Sequence, residues 1–124
     1  MKQAVILECV LQHDARNLRL KRRLAEHGID VRDSVGIRCR FLSPSLAQAF
    51  VLAAALRQQG LGSAHVAPIG PEQTPTSWSV EAPLEASIDK AASHEFTEML
   101  VCCAAEVNCL YQGWSLAHPV RVAA

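Results

Sequence analysis

The fold turns on how one stretch near the carboxy terminus is read: NCLYQGWSLAHPV, Asn108–Val120. Leu110, Trp114 and Leu116 fall on one side of an alternating pattern, and Tyr111, Gly113 and Ser115 on the other, which is the period of a strand. Trp114 brings the largest apolar surface and is expected to pack inward beneath helices. A glycine inside a strand gives up side-chain contacts, and the usual causes are a bulge or the close approach of another backbone. Alternation therefore predicts that Gly113 and Tyr111 face outward, where a partner is able to dock.

Working outward, Ser87 to Val107 reads as a single helix, with Ile88, Ala92, Phe96, Met99, Leu100, Cys103 and Val107 at steps of three and four. WSVEA turns Trp78, Val80 and Ala82 inward and Ser79 and Glu81 outward. Before it, GPEQTPTS is a turn-rich loop, and a short strand around Ala64–Ile69 carries Pro68, which marks an edge or bulge position. SPSLAQAFVLAAALRQQG reads as a helix capped by Ser43, with Pro44 at its first position and Gly60 at its close. Leu46 to Leu56 is apolar almost all round, so this helix is expected to be covered by the amino-terminal helix or by a second copy of the chain. SVGIRCRFL alternates Val35, Ile37, Cys39 and Phe41 with Gly36, Arg38 and Arg40. A basic helix is expected from Asp14, as its cap, to His27, with Gly28 just past its end. Ala4 to Leu11 fits either an extension of that helix, which we prefer, or a strand.

From Val35 onward the order is strand, helix, strand, strand, helix, strand. That order predicts an α+β ferredoxin-like plait: a four-stranded antiparallel sheet with two helices on one face, plus an amino-terminal helix. The expected division is a helical extension over 1–30, the plait over 31–118 and a tail over 119–124.

The 124 residues suit one domain, and the formal net charge is zero, so no global field draws the molecule to nucleic acid or membrane. The zero hides a division. Asp14 to Arg40 holds eight basic residues against four acids, whereas Glu72 to Glu106 holds seven acids against Lys90 alone. Mutual neutralisation or solvation accounts for most such charge, and two partner-seeking faces are the sharper alternative. No apolar run approaches the ~20 residues of a membrane span, and the opening MKQAVILECVLQHD lacks a cleavage site of the signal-peptide kind. Five cysteines without a regular framework fit a reducing compartment, so a cytoplasmic location is expected.

Catalytic patterns are sparse. The histidines at 13, 27, 65, 94 and 118 show no metal-binding spacing, Cys102 and Cys103 diverge by ~100° on their helix, and no phosphate-cradling loop or nucleophile elbow occurs. A redox pairing with Cys109 is the one cysteine alternative. No enzyme activity, metal or cofactor is expected. What remains is the open sheet face with Arg38, Arg40, Ser77, Ser79, Glu81, Tyr111 and Ser115, which reads as a wet antiparallel face or as a platform for a peptide or stacked bases.

The strand LYQGW resembles the YDGW strand of the regulators of ribonuclease E activity, protein B, small bacterial proteins of ferredoxin-like fold that bind the ribonuclease and inhibit it. RFLSPSLAQAFVLAAALRQQGL, the tryptophan in SWSVEA and the helix ending before CLYQGW agree, and NLRLKRRLAEHGID is similar to a leading helix in some relatives. The likeness covers roughly Asp14 to Leu116. It departs at Gln112, where the family motif has aspartate, and in net charge, since the regulator itself is strongly acidic. It implies a non-catalytic protein-binding regulator. Its expected contact residues are Glu81, Glu85, Glu95, Glu98, Tyr111, Gln112 and Gly113, with a homodimer through Leu46–Leu56. The alternative is an RNA-binding module built on Arg38, Arg40, Tyr111 and the basic helix.

Overall fold

The computed structural model describes residues 3–71 and 75–117. Helix α1 spans Gln3–Glu26, strand β1 Ser34–Ser43, helix α2 Leu46–Gln58, strands β2 and β3 His65–Ile69 and Ser77–Ser87, the short helix α3 Ile88–Ala91, helix α4 His94–Glu106 and strand β4 Leu110–Leu116. All pairings are antiparallel, and the strand order is β2-β3-β1-β4, as the plait requires. The tail expected over 119–124 and part of the loop GPEQTPTS lie outside the described residues.

Alternation settles β1 and β3. Ile37, Cys39 and Phe41 are fully buried with Val80 and Ala82, while Arg38 and Arg40 are exposed. Helices α2 and α4 cover that buried face with Leu52, Leu56, Phe96 and Leu100, and α1 lies against α4 at the β4 side. One core results, to which α1 adds Val10.

Several boundaries differ from the sequence expectation, each for a local reason. The first helix is continuous over 24 residues, so Asp14 sits in its middle and caps nothing; the carboxylate instead meets His94 of α4 at 2.6 Å. β1 runs on through Ser43, and the α2 cap is Ser45, whose hydroxyl accepts from the Gln48 amide at 3.1 Å. Pro44 therefore precedes the cap. The expected single helix from Ser87 to Val107 is broken: Ser87 caps α3, and Ser93 accepts from the Phe96 amide to start α4 afresh. A serine able to cap is stable outside a helix, and two of them six residues apart divide the segment.

Of the two covers expected on α2, the amino-terminal helix is not the one found. Helix α1 packs chiefly on α4, reaches β4 through His13, Arg16 and Asn17 and meets α3 through the Lys21–Asp89 ion pair, and Leu46, Phe50 and Val51 of α2 stay 40%, 57% and 55% exposed.

Candidate functional site

At β4 the alternation slips. Arg40 stands opposite Gly113, yet Phe41 stands opposite Tyr111, so Gln112 is an extra residue with no partner on β1. This is a β-bulge, and its physical effect is to turn the chain by one side-chain position. Tyr111 and Trp114, three apart, therefore share the inner face, at 3% and 1% exposure. The expectation that Tyr111 faces outward is thus overturned. Its ring packs against Phe41 (centroids 5.1 Å apart) and His13 (4.7 Å), and its hydroxyl lies buried near the Cys39 thiol without a hydrogen-bond partner among the described residues. Burial drives both groups toward their protonated forms, Cys39 to about 12 and Tyr111 well above the usual phenol value.

Gly113 takes φ +124°, and a Cβ placed on it would lie 2.3 Å from Arg16 Nη1. The close approach expected at this glycine is therefore made by a side chain of the same molecule. Three residues of α1 secure this strand. His13 Nε2 donates to the Tyr111 carbonyl at 3.0 Å, Arg16 Nη2 donates to the Trp114 carbonyl at a long 3.4 Å, and Asn17 accepts from the Trp114 indole at 2.9 Å. Because an indole N–H only donates, the Asn17 amide is oriented, and its Nδ2 donates to Thr97 Oγ1 at 3.0 Å. Thr97 in turn donates to the Ser93 carbonyl at 2.8 Å. A fully satisfied buried chain of hydrogen bonds thus links β4, α1 and α4. Two carbonyls of an edge strand are covered at the same time, which protects it from pairing with another chain. Sequence reading missed Asn17 altogether; a single polar residue in a basic helix carries no signal of burial.

A second link is electrostatic. His94 lies between Asp14, at 2.6 Å, and Glu98, at 3.2 Å. The Asp14 hydrogen bond, and then the charges of Asp14 and Glu98, raise the His94 pKa above its ordinary value. His13 moves the other way, chiefly because burial disfavours its charged form, against the pull of its bond to the Tyr111 carbonyl. The signs differ accordingly. The His94 contribution is complete below about pH 6.5 and fades as pH rises through the raised folded value. The His13 contribution is complete above about pH 6.5 and is lost as pH falls through the lowered one. Asp14→Asn is expected to reduce the melting temperature more at pH 6 than at pH 9, as thermal scans at both values would show; an equal loss at both would contradict a charged His94 link.

On the other side of the sheet no helix of the described residues intervenes. The register aligns His65, Glu81, Arg40 and Gly113 in one row and Ala67, Ser79, Leu42 and Leu110 in the next. Arg40 and Glu81 are ion-paired within the first row, Arg40 Nε reaching Glu81 Oε1 at 2.9 Å. Ile69 and Leu110 are 40% and 43% exposed at the apolar end. The open face is therefore half charged and half apolar. Glu81, Glu85, Arg38 and Arg40 sit on it, and Gln112 projects at its margin, whereas Glu95 and Glu98 lie on α4 in the helical layer. The seven expected contact residues do not form one surface. Lys21–Asp89 and Arg40–Glu81 join the basic and acidic segments directly, so part of the charge division is neutralised within the fold.

Chemical groups do not converge elsewhere. Among the described residues no group of three or more His, Cys, Asp or Glu side chains is placed to hold a metal ion. All five cysteines are free, and burial raises the thiol pKa of Cys103 and Cys109 as well as Cys39, which disfavours the reactive thiolate. No helix among the described residues is long and apolar enough to cross a membrane.

In a comparison against family models, the family described as RraB, regulator of ribonuclease activity B, matches residues 14–116. The chain belongs to the RraB family. No curated protein matches the sequence. The match includes the two segments that the bulge brings together, α1 from Asp14 onward and all of β4, while Leu7 and Leu11 of α1, both more than half exposed, precede it. The description of the family is that of a regulator of ribonuclease activity.

Proposed function

We propose that the chain is a non-catalytic regulator that binds a ribonuclease, ribonuclease E in the first instance, through the open face of its sheet, in the cytoplasm where that enzyme works. The observation that carries this reading is the uncovered face itself. An apolar patch of Leu42, Ala67, Ile69 and Leu110 is bordered by the row of His65, Glu81 and Arg40, with Arg38 and Glu85 farther along the same face. A desolvating apolar centre with a charged rim is the usual anatomy of a protein contact. Glu81, Glu85 and Gln112 remain contact candidates on or beside this surface, whereas Gly113 is buried beneath Arg16. Tyr111 supports the face from inside. RNA is the less favoured ligand, because Tyr111 and Trp114 are both buried and the imidazole of His65 is what this face has left, among the described residues, for a base to stack on.

The test is cleavage of a fluorescent RNA by purified ribonuclease E with and without the chain. Added chain is expected to slow cleavage, and Leu110→Asp is expected to raise the concentration needed by about tenfold or more. Unchanged cleavage at concentrations well above the enzyme's would sink the reading.

The outward side of α2, with Leu46, Phe50 and Val51, is a separate surface that we assign to contact between two copies. Sedimentation is expected to show a concentration-dependent dimer that Phe50→Glu abolishes. A monomer at every concentration would remove the dimer and leave the sheet-face proposal standing.

A further inference from the structure

The bulge leaves a shallow notch of about 320 Å³ beside β4, lined by Arg16, Arg40, Gln112, Gly113, Trp114 and Ser115. Two guanidinium groups from different elements reach it, one from α1 and one from the sheet. Arg16 is incompletely served. Its one hydrogen bond is the 3.4 Å contact to the Trp114 carbonyl, its Nη1 is shielded from water without a partner, and none of the ion pairs among the described residues involves it. Taking charged N–H groups out of water without an acceptor is unfavourable, and a nearby anion offsets that cost. Arg40 has Glu81 as its partner, so the pair of arginines is not fully neutralised.

We propose that this notch is an anion subsite that receives one carboxylate side chain from an acidic segment of a protein partner. Planar guanidinium groups suit carboxylates through paired hydrogen bonds, and Gln112 and Ser115 add neutral donors at the rim. Gly113 is what admits Arg16, since any side chain there would occupy the guanidinium's place. A phosphate polymer fits less well. The notch has no exposed ring beside it on which a base is able to stack, and a single planar carboxylate matches a guanidinium edge without needing one. The subsite rests on the reading of the chain as a protein-binding regulator, but it occupies the β4 margin and is separable from the apolar patch.

An NMR titration of the full chain tests it, following the Arg16 and Arg40 Nε–Hε signals and the amides of Gly113 and Ser115. Hexaglutamate is expected to shift all four to saturation, hexaglutamine none, and Arg16→Gln or Arg40→Gln to weaken the titration by about tenfold. Arg40 is on the exposed face, so its variant stays informative if Arg16→Gln disturbs the α1 contact. Absence of shifts, affinity unchanged in both variants, inorganic phosphate binding as well as hexaglutamate, or a uridine dodecamer binding more tightly would each overturn the proposal. Leu110→Asp separates the two ideas: it is expected to lose ribonuclease inhibition while keeping the hexaglutamate response.

Discussion

Gly113→Ala is expected to lower the free energy of unfolding by about 2–4 kcal/mol, read from urea denaturation with an unchanged slope. Two terms add. A φ of +124° is a conformation that residues with a side chain rarely adopt, and the new methyl would meet Arg16 Nη1 at 2.3 Å. The Arg16 side chain is flexible, so it is able to retreat, at the expense of its contact with the Trp114 carbonyl. The double variant Arg16→Ala, Gly113→Ala separates the terms: relief of the collision should recover part of the loss, leaving about 1–2 kcal/mol of backbone strain. A Gly113→Ala variant within about 0.5 kcal/mol of the parent would mean that the bulge relaxes freely.

Trp114→Ala is expected to cost more, about 3–5 kcal/mol, because it empties the largest fully buried side chain of the core. It also strips Asn17 of its donor. Trp114→Phe isolates the polar part. Most of the ring surface is kept, but Asn17 Oδ1 is left buried without the indole N–H, and a loss of about 1–3 kcal/mol follows. Asn17→Ala should lose a similar amount, and the two changes together less than their sum, since either one breaks the same link between β4, α1 and α4. Strict additivity in that double-mutant cycle would show that the chain Trp114–Asn17–Thr97 does not act as a unit.

Much of this architecture is legible in the residues. The alternation of Ile37, Cys39 and Phe41 needs no partner to be recognised, and it shows which face of β1 is buried. Trp114 is large enough to predict its own burial. What escapes is whatever depends on register. Alternation counts residues, and one unpaired residue at Gln112 inverts the count for everything on one side of it, which is how Tyr111 comes inside. Glycine at 113 pointed to a bulge or to the close approach of another backbone; the bulge is present, but what crowds the glycine is a side chain, and nothing local shows that it is an arginine nearly a hundred positions earlier in the chain. Caps fail for a similar reason. Asp14, Ser43 and Ser93 are all able to cap, and tertiary packing decides among such candidates: Asp14 is held in a helix by the contacts of α1 with α4, whereas Ser93 is free to begin a new one. The expected contact residues scatter because acidity is a property of a segment, while a binding surface is a property of a face. Glu81 and Glu98 belong to one acidic stretch and to different layers.

The most direct test of docking by the open face is cross-saturation NMR on the chain bound to purified ribonuclease E, with methyl groups as reporters. Saturation is predicted at Leu42, Ala67, Ile69 and Leu110, with Leu18 of α1 and Val51 of α2 unaffected. Saturation confined to the helical layer, with the sheet methyls silent, would contradict it.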